Sequence, residues 1–181
     1  SNTLVIPANT IKDVSGNWLP ETPASGTLNF NIIDSSIPSS STATINADSI
    51  DGTTGNDTLY GGNGNDTLLG SDGNDSLYGG NNPDSLNGGA DDDLLYGESH
   101  KDTLNGGAGA DSLFGGDEDD LLYGEANDDL LVGGRGKDTL SGGDGNDILL
   151  AGPSYGSVDN GQREYLLGGA GNDFLLGSDY S

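Results

Sequence analysis

Cysteine is absent from the 181 residues, which excludes disulfides and thiolate metal sites together. That absence leaves the redox compartment open and permits an extracellular life. Positive charge is scarce: five Lys and Arg face 30 Asp and Glu, a formal net charge of −25. A field of that sign repels phosphate, so nucleic acid is excluded as a partner. No apolar run in the chain approaches the roughly 18 residues that a membrane helix needs, so no transmembrane segment is expected. The N-terminus lacks the basic-then-apolar order of a signal peptide. It opens Ser1-Asn2 without methionine, which suggests an excised fragment. Apolar residues are thin as well, 31% of the chain, whereas 33 residues are glycine. Such a composition places the chain among disordered proteins, because little apolar burial offsets chain entropy and self-repulsion opposes compaction. If the chain folds, a basic protein or a multivalent cation must neutralise its carboxylates.

What the chain does have is a repeat. From Gly52 to Leu150 it divides into eleven consecutive nine-residue units without insertion. The first position is always glycine, and the eighth is always leucine, from Leu59 to Leu149. The sixth is always aspartate: Asp57, Asp66, Asp75, Asp84, Asp93, Asp102, Asp111, Asp120, Asp129, Asp138 and Asp147. Upstream, Asp48 and Ile50 hold the same register, so residues 43–51 read as a degenerate unit. Downstream, Ala151 to Val158 shift the phase by eight residues; Glu164 and Leu166 restore it, and Gly168 to Leu176 is a full unit with Asp173 in sixth place.

Positions one to six are rich in Gly, Asn and Asp, which tolerate positive φ and close turns. Positions seven to nine, such as Thr67-Leu68-Leu69, predict a three-residue strand whose central leucine points opposite to its neighbours. One unit cannot bury that leucine; stacked units can. A turn plus a strand reverses direction, so two units make one coil of 18 residues, and the eleven units make a rod of about 26 Å at ~4.8 Å per coil. Alternate units share a side, so Asp57 stacks with Asp75 and Asp66 with Asp84. Bare carboxylates so placed repel one another, and a cation between them turns the repulsion into a bridge. Calcium takes about 6–8 oxygen ligands, which aspartates and turn carbonyls can supply. Magnesium prefers a tighter octahedral site with several waters, and zinc prefers nitrogen and sulfur. A second reading has some of these aspartates merely capping turns by accepting backbone N–H groups.

Units such as Gly61-Gly62-Asn63-Gly64-Asn65-Asp66-Thr67-Leu68-Leu69 and Gly142-Gly143-Asp144-Gly145-Asn146-Asp147-Ile148-Leu149-Leu150 resemble the RTX nonapeptide G-G-x-G-x-D-x-U-x, a calcium-binding β-helix repeat. The resemblance covers 52–150 and 168–176, and 43–51 weakly. It implies an all-β fold, a right-handed parallel β-roll or β-solenoid with two repeats per coil and multiple Ca2+ ions between successive turns. The ligands it implies are the eleven sixth-position aspartates and Asp173, with carbonyls of the glycine-rich turns at Gly62, Gly64, Gly73, Gly107, Gly109, Gly134, Gly136, Gly143 and Gly145. Members of this family are typically secreted by Gram-negative bacteria through a one-step exporter, and their repeats are accessory modules of enzymes, toxins and adhesins. The function implied is therefore a non-catalytic calcium-binding module of a secreted, extracellular bacterial protein. It would fold on calcium outside the cell to support secretion and to stabilise or position neighbouring domains of its parent. The alternative is a carbohydrate- or surface-binding accessory module that takes a polysaccharide as partner. Turns with Asn82, Asp91, His100, Glu118 or Asn127 in fourth place, or Pro83 in fifth, depart from the pattern and are expected to bind more weakly or with altered geometry.

Four segments are expected: a β-rich N-terminal cap or end of a preceding domain over 1–42, with Trp18 in its core; the repeats over 43–150; a loop insertion over 151–163; and resumed repeats over 164–181. Ser181 stops five residues into a further unit, so the natural chain is expected to continue. Position nine alternates in character. Tyr60, Tyr78, Tyr96, Phe114, Val132 and Leu150 fall in one outward column, and Leu69, Asn87, Asn105, Tyr123 and Ser141 in the other. The first column reads as a stabilising cross-strand ladder or as a contact surface. Gly152-Pro153-Ser154-Tyr155-Gly156 matches G-x-S-x-G, but a nucleophile elbow needs a strand before it and a helix after it, and a polar stretch follows instead. His100, the sole histidine, belongs to a turn about three coils away and is read as solvated. The many carboxylates are copies of one environment, whereas an acid–base pair needs two different ones.

Overall fold

A computed structural model describes residues 30–31, 40–42, 45–152 and 164–177. Among the described residues there are sixteen strands and no helix. They are β1 (Phe30–Asn31), β2 (Ser40–Thr42), β3 (Ser49–Asp51), β4 (Thr58–Asn63), β5 (Thr67–Asp72), β6 (Ser76–Asn81), β7 (Ser85–Ala90) and β8 (Leu94–Ser99). They continue as β9 (Thr103–Ala108), β10 (Ser112–Asp117), β11 (Leu121–Ala126), β12 (Leu130–Arg135), β13 (Thr139–Asp144), β14 (Ile148–Leu150), β15 (Tyr165–Ala170) and β16 (Phe174–Leu176). Odd-numbered strands form one eight-stranded parallel sheet and even-numbered strands the other. Two successive units therefore make one coil, and the expected all-β parallel solenoid is the fold. The register advances by 18 residues per coil, as in Leu59↔Leu77 and Leu68↔Leu86. Across the eight-residue phase break it advances by 26, with Leu140↔Leu166.

The strands are longer than the sequence pattern predicts. From β4 to β13 each runs six residues, through positions seven to nine and on through one to three of the next unit. The reason lies in the paired glycines. Gly61 has no side chain to turn inward or outward, and Gly62 takes φ +96°, so the ladder bends at the corner and resumes pairing at Gly62↔Gly80 and Asn63↔Asn81. Position one admits nothing larger. A Cβ on Gly61 would come within 2.5 Å of the Gly79 carbonyl oxygen and 2.7 Å of the Asp66 carboxylate.

Between the sheets lies a core one leucine wide. Leu59, Leu77, Leu95, Leu113, Leu131 and Leu149 project from one sheet; Ile50, Leu68, Leu86, Leu104, Leu122 and Leu140 project from the other, and all are buried. Burying each contributes roughly 2 kcal/mol, and the regularity of the column sets the coil-to-coil register. At the upstream end β1 pairs with β3 and β2 with β4, both parallel. Trp18 and the G-x-S-x-G serine Ser154 lie outside the described residues.

Candidate metal centre

Each sixth-position aspartate closes the turn that follows a Gly-x-Gly or equivalent bend. The nine glycines expected to supply carbonyls all have φ between +96° and +149°. The irregular fourth-position residues Asn82, Asp91, His100, Glu118 and Asn127 are left-handed as well, with φ between +74° and +82°. The glycines in that place lie at +106° to +149°, so the irregular turns keep the left-handed sense at a smaller φ.

The carboxylates stand inside the roll. Asp57 through Asp147 are all buried, and Asp173, near the last coil, is half-buried. From Asp66 onward, one oxygen of each ties adjacent coils together. Oδ1 of Asp66 accepts the N–H of Asp48 at 2.8 Å, Oδ1 of Asp75 that of Asp57 at 2.8 Å, and Oδ1 of Asp84 that of Asp66 at 2.7 Å. The pattern continues through Asp93, Asp102, Asp111, Asp120, Asp129, Asp138 and Asp147, and Asp173 accepts from Asp147 at 3.1 Å. Asp backbone carbonyls add a second tie, as in Ser76 N–H to Asp57 O at 2.9 Å. Each of these Oδ1 atoms accepts a backbone N–H from the previous coil, not from its own turn.

The other oxygen has no such partner. Oδ2 of Asp66, Asp75, Asp84, Asp93, Asp102, Asp111, Asp120, Asp129, Asp138 and Asp147 is buried without a hydrogen-bond donor. Its neighbours are other oxygens. A Cβ on Gly97 would lie 2.5 Å from Asp102 Oδ2 and 2.6 Å from the Gly115 carbonyl oxygen, so both oxygens face the same Cα. The same convergence recurs at Gly61, Gly70, Gly124 and Gly142. Burying a charged oxygen against other oxygens, with no donor, costs several kcal/mol unless a proton or a cation compensates it.

The electrostatics express that cost. Loss of solvent pushes the carboxyls of Asp75, Asp84, Asp111 and Asp138 up to about 6, those of Asp93, Asp102 and Asp129 to about 7, and that of Asp120 to about 8. Asp66 and Asp147 are raised for the same reason. In every case the inter-coil N–H bond pulls in the opposite direction, and neighbouring carboxylates push further up.

The donor set fits a hard cation. Among the described residues no three His, Asp or Glu side chains gather as a metal site would need from side chains alone, so carbonyls must supply much of a shell. The structure provides them. The carbonyls of Gly62, Gly134, Gly143 and Gly145 face the Cα of the matching glycine one coil on. Position-one carbonyls, such as those of Gly79, Gly88 and Gly115, lie beside the orphaned carboxylate oxygens. The sequence reading missed this last set, although glycine in first place of every unit was its signal. Calcium, with about 6–8 oxygen ligands and flexible geometry, suits such a mixture.

The outer column of β4, β6, β8 and β10 is a stack of rings. Tyr60, Tyr78, Tyr96 and Phe114 lie with centroids 4.8, 5.2 and 4.9 Å apart and planes within 13° of parallel. Tyr78 and Tyr96 thus carry a ring on both faces, as a cross-strand ladder does. His100 is half-buried in its turn, with Nδ1 3.1 Å from the Asn82 N–H.

Comparison with known proteins agrees with this geometry. No curated protein matches the chain. A family model described as the RTX calcium-binding nonapeptide repeat, four copies long, matches residues 42–77, 69–99, 78–113, 96–131, 123–153 and 160–179. These matches take in well over half of the chain, and the family they define is a structural calcium-binding module. The chain belongs to the RTX calcium-binding nonapeptide repeat family.

Proposed function

We propose that this chain is a calcium-folded module of a secreted bacterial protein, with ions held along both edges of the roll. Asp66, Asp75, Asp84, Asp93, Asp102, Asp111, Asp120, Asp129, Asp138 and Asp147 would hold the metal through Oδ2, joined by turn carbonyls at positions one, two and four. Asp173 would serve the last coil. Bound calcium supplies the positive charge that ten buried, donorless carboxylate oxygens lack; that observation carries the reading. Without metal, the −25 chain repels itself and stays expanded. With metal, each site stabilises the folded state by RT ln(1 + [Ca]/Kd). Low calcium inside a cell keeps such a chain export-competent, and higher calcium outside folds it, so that it supports and positions neighbouring domains of its parent. The test is a far-ultraviolet circular dichroism titration at neutral pH. The expected result is a disordered spectrum in chelator and a cooperative rise of β signal with calcium. A full β spectrum in excess chelator at that pH overturns the proposal.

A further inference from the structure

One turn departs from the rest. Oδ2 of Asp57 accepts the Thr53 N–H at 2.5 Å and the Thr53 hydroxyl at 2.9 Å, whereas ten later aspartates leave that oxygen without a donor. The backbone differs with it. In the turns that follow, positions two and four are left-handed, as in Ser71 and Gly73 or Gly80 and Asn82. In the turn 52–57 neither Thr53 nor Gly55 has positive φ.

The cause is the residue in second place. A β-branched side chain is strongly disfavoured at positive φ, so Thr53 cannot follow the path that glycine takes. Its N–H points at the carboxylate instead. The hydroxyl adds a second donor, and it accepts the Gly55 N–H at 3.3 Å. The carbonyl ladder breaks at the same place. Beneath Gly64, Gly109, Gly136 and Gly145, the fourth-position carbonyl oxygen of the previous coil is among the two atoms nearest a built Cβ. Beneath Gly73 its three nearest atoms are the Gly55 carbonyl carbon at 2.8 Å, the Asn56 nitrogen at 3.1 Å and Asn56 Oδ1 at 3.2 Å, and the Gly55 oxygen is not among them.

Resting on the calcium reading above, we infer that the turn Gly52–Asp57 is a metal-independent first rung. Its own donors replace the ion, and the ladder on that edge begins one coil later, at Gly70–Asp75. The rung still templates its neighbour: Asp57 N–H donates to Asp75 Oδ1 at 2.8 Å, and Asp57 O accepts from Ser76 at 2.9 Å. It therefore orders the first metal-binding carboxylate before any ion arrives. Sequence alone points the other way, since Asp57 sits in a regular-looking unit.

The experiment counts calcium per chain at saturation, by equilibrium dialysis against calcium chloride and metal analysis of the whole 181-residue chain. Asp57→Asn is expected to bind as many ions as the unmodified chain, and Asp93→Asn fewer. Loss of an ion in Asp57→Asn overturns the inference. Thr53→Gly restores the left-handed path and is expected to gain one ion; an unchanged count overturns the inference even if Asp57→Asn fails to fold. An unmodified chain that binds no calcium sinks the proposed function instead, so the two failures are distinguishable.

Discussion

At the scale of the residue, the repeat makes the backbone choose between strain and pattern. Glu118 takes φ +82° where most turns carry glycine or asparagine. A residue with a Cβ pays roughly 1–2 kcal/mol for that conformation. The turn keeps it because the carbonyl beneath Gly136 must face the next coil, and Glu118 O does so. Replacing Glu118 with glycine removes the strain and one negative charge from an acidic edge, while Lys101 keeps its 2.7 Å contact with Asp119. The variant Glu118→Gly is expected to gain about 1 kcal/mol of stability, read as a higher thermal midpoint in saturating calcium. An unchanged or lowered midpoint would show that the left-handed glutamate costs nothing here. His100 at φ +82° presents the same conflict in a neighbouring coil.

At the scale of the coil, stability is a sum over neighbours that touch only above and below. Each coil contributes two core leucines, and a leucine removed from the middle leaves a gap that the flat sheets cannot close. Leu104→Ala, in β9 and fully buried, is therefore expected to cost about 2–5 kcal/mol, measured by denaturant unfolding in calcium. A cost below ~1 kcal/mol would mean that the column is not a packed core. The coil was legible in the sequence because strand side chains alternate and leucine fills the eighth place of every nine-residue unit. Fixed spacing alone then determines that Leu59 stacks on Leu77 and Tyr60 on Tyr78. The continuation of each strand through the paired glycines was not legible, since pairing there depends on a corner and not on a side chain. Nor was the division of labour between the two carboxylate oxygens: spacing says that Asp57 and Asp75 stack, but only the offset between coils puts Oδ1 on an N–H and Oδ2 among carbonyls. Thr53 escaped for a related reason, because a one-residue change in a turn alters φ before it alters any pattern.

At the scale of the whole molecule, the burden is charge, and protons can relieve it as ions do. The chain carries 30 acids against five Lys and Arg, and ten buried aspartates hold an oxygen without a donor. Their folded carboxyls titrate higher than the ordinary 3.8, at about 6 for Asp75 and Asp84, about 7 for Asp93 and Asp102, and about 8 for Asp120. A group whose pKa is raised by folding binds its proton more tightly in the folded state. Its stabilising contribution is complete below the unfolded value and is lost as pH rises through the folded one. Here that window runs from about 8 down to about 4. A chain held in chelator is therefore expected to be unstructured near pH 8 and to gain β signal as the pH falls towards about 5. Calcium does the same work at the higher pH without protons, so the ellipticity change on adding calcium should be large near pH 8 and small near about pH 5. Circular dichroism across this pH range, with and without chelator, measures both. A chelated chain that stays disordered throughout would mean that neutralising the aspartate ladders is not what limits folding.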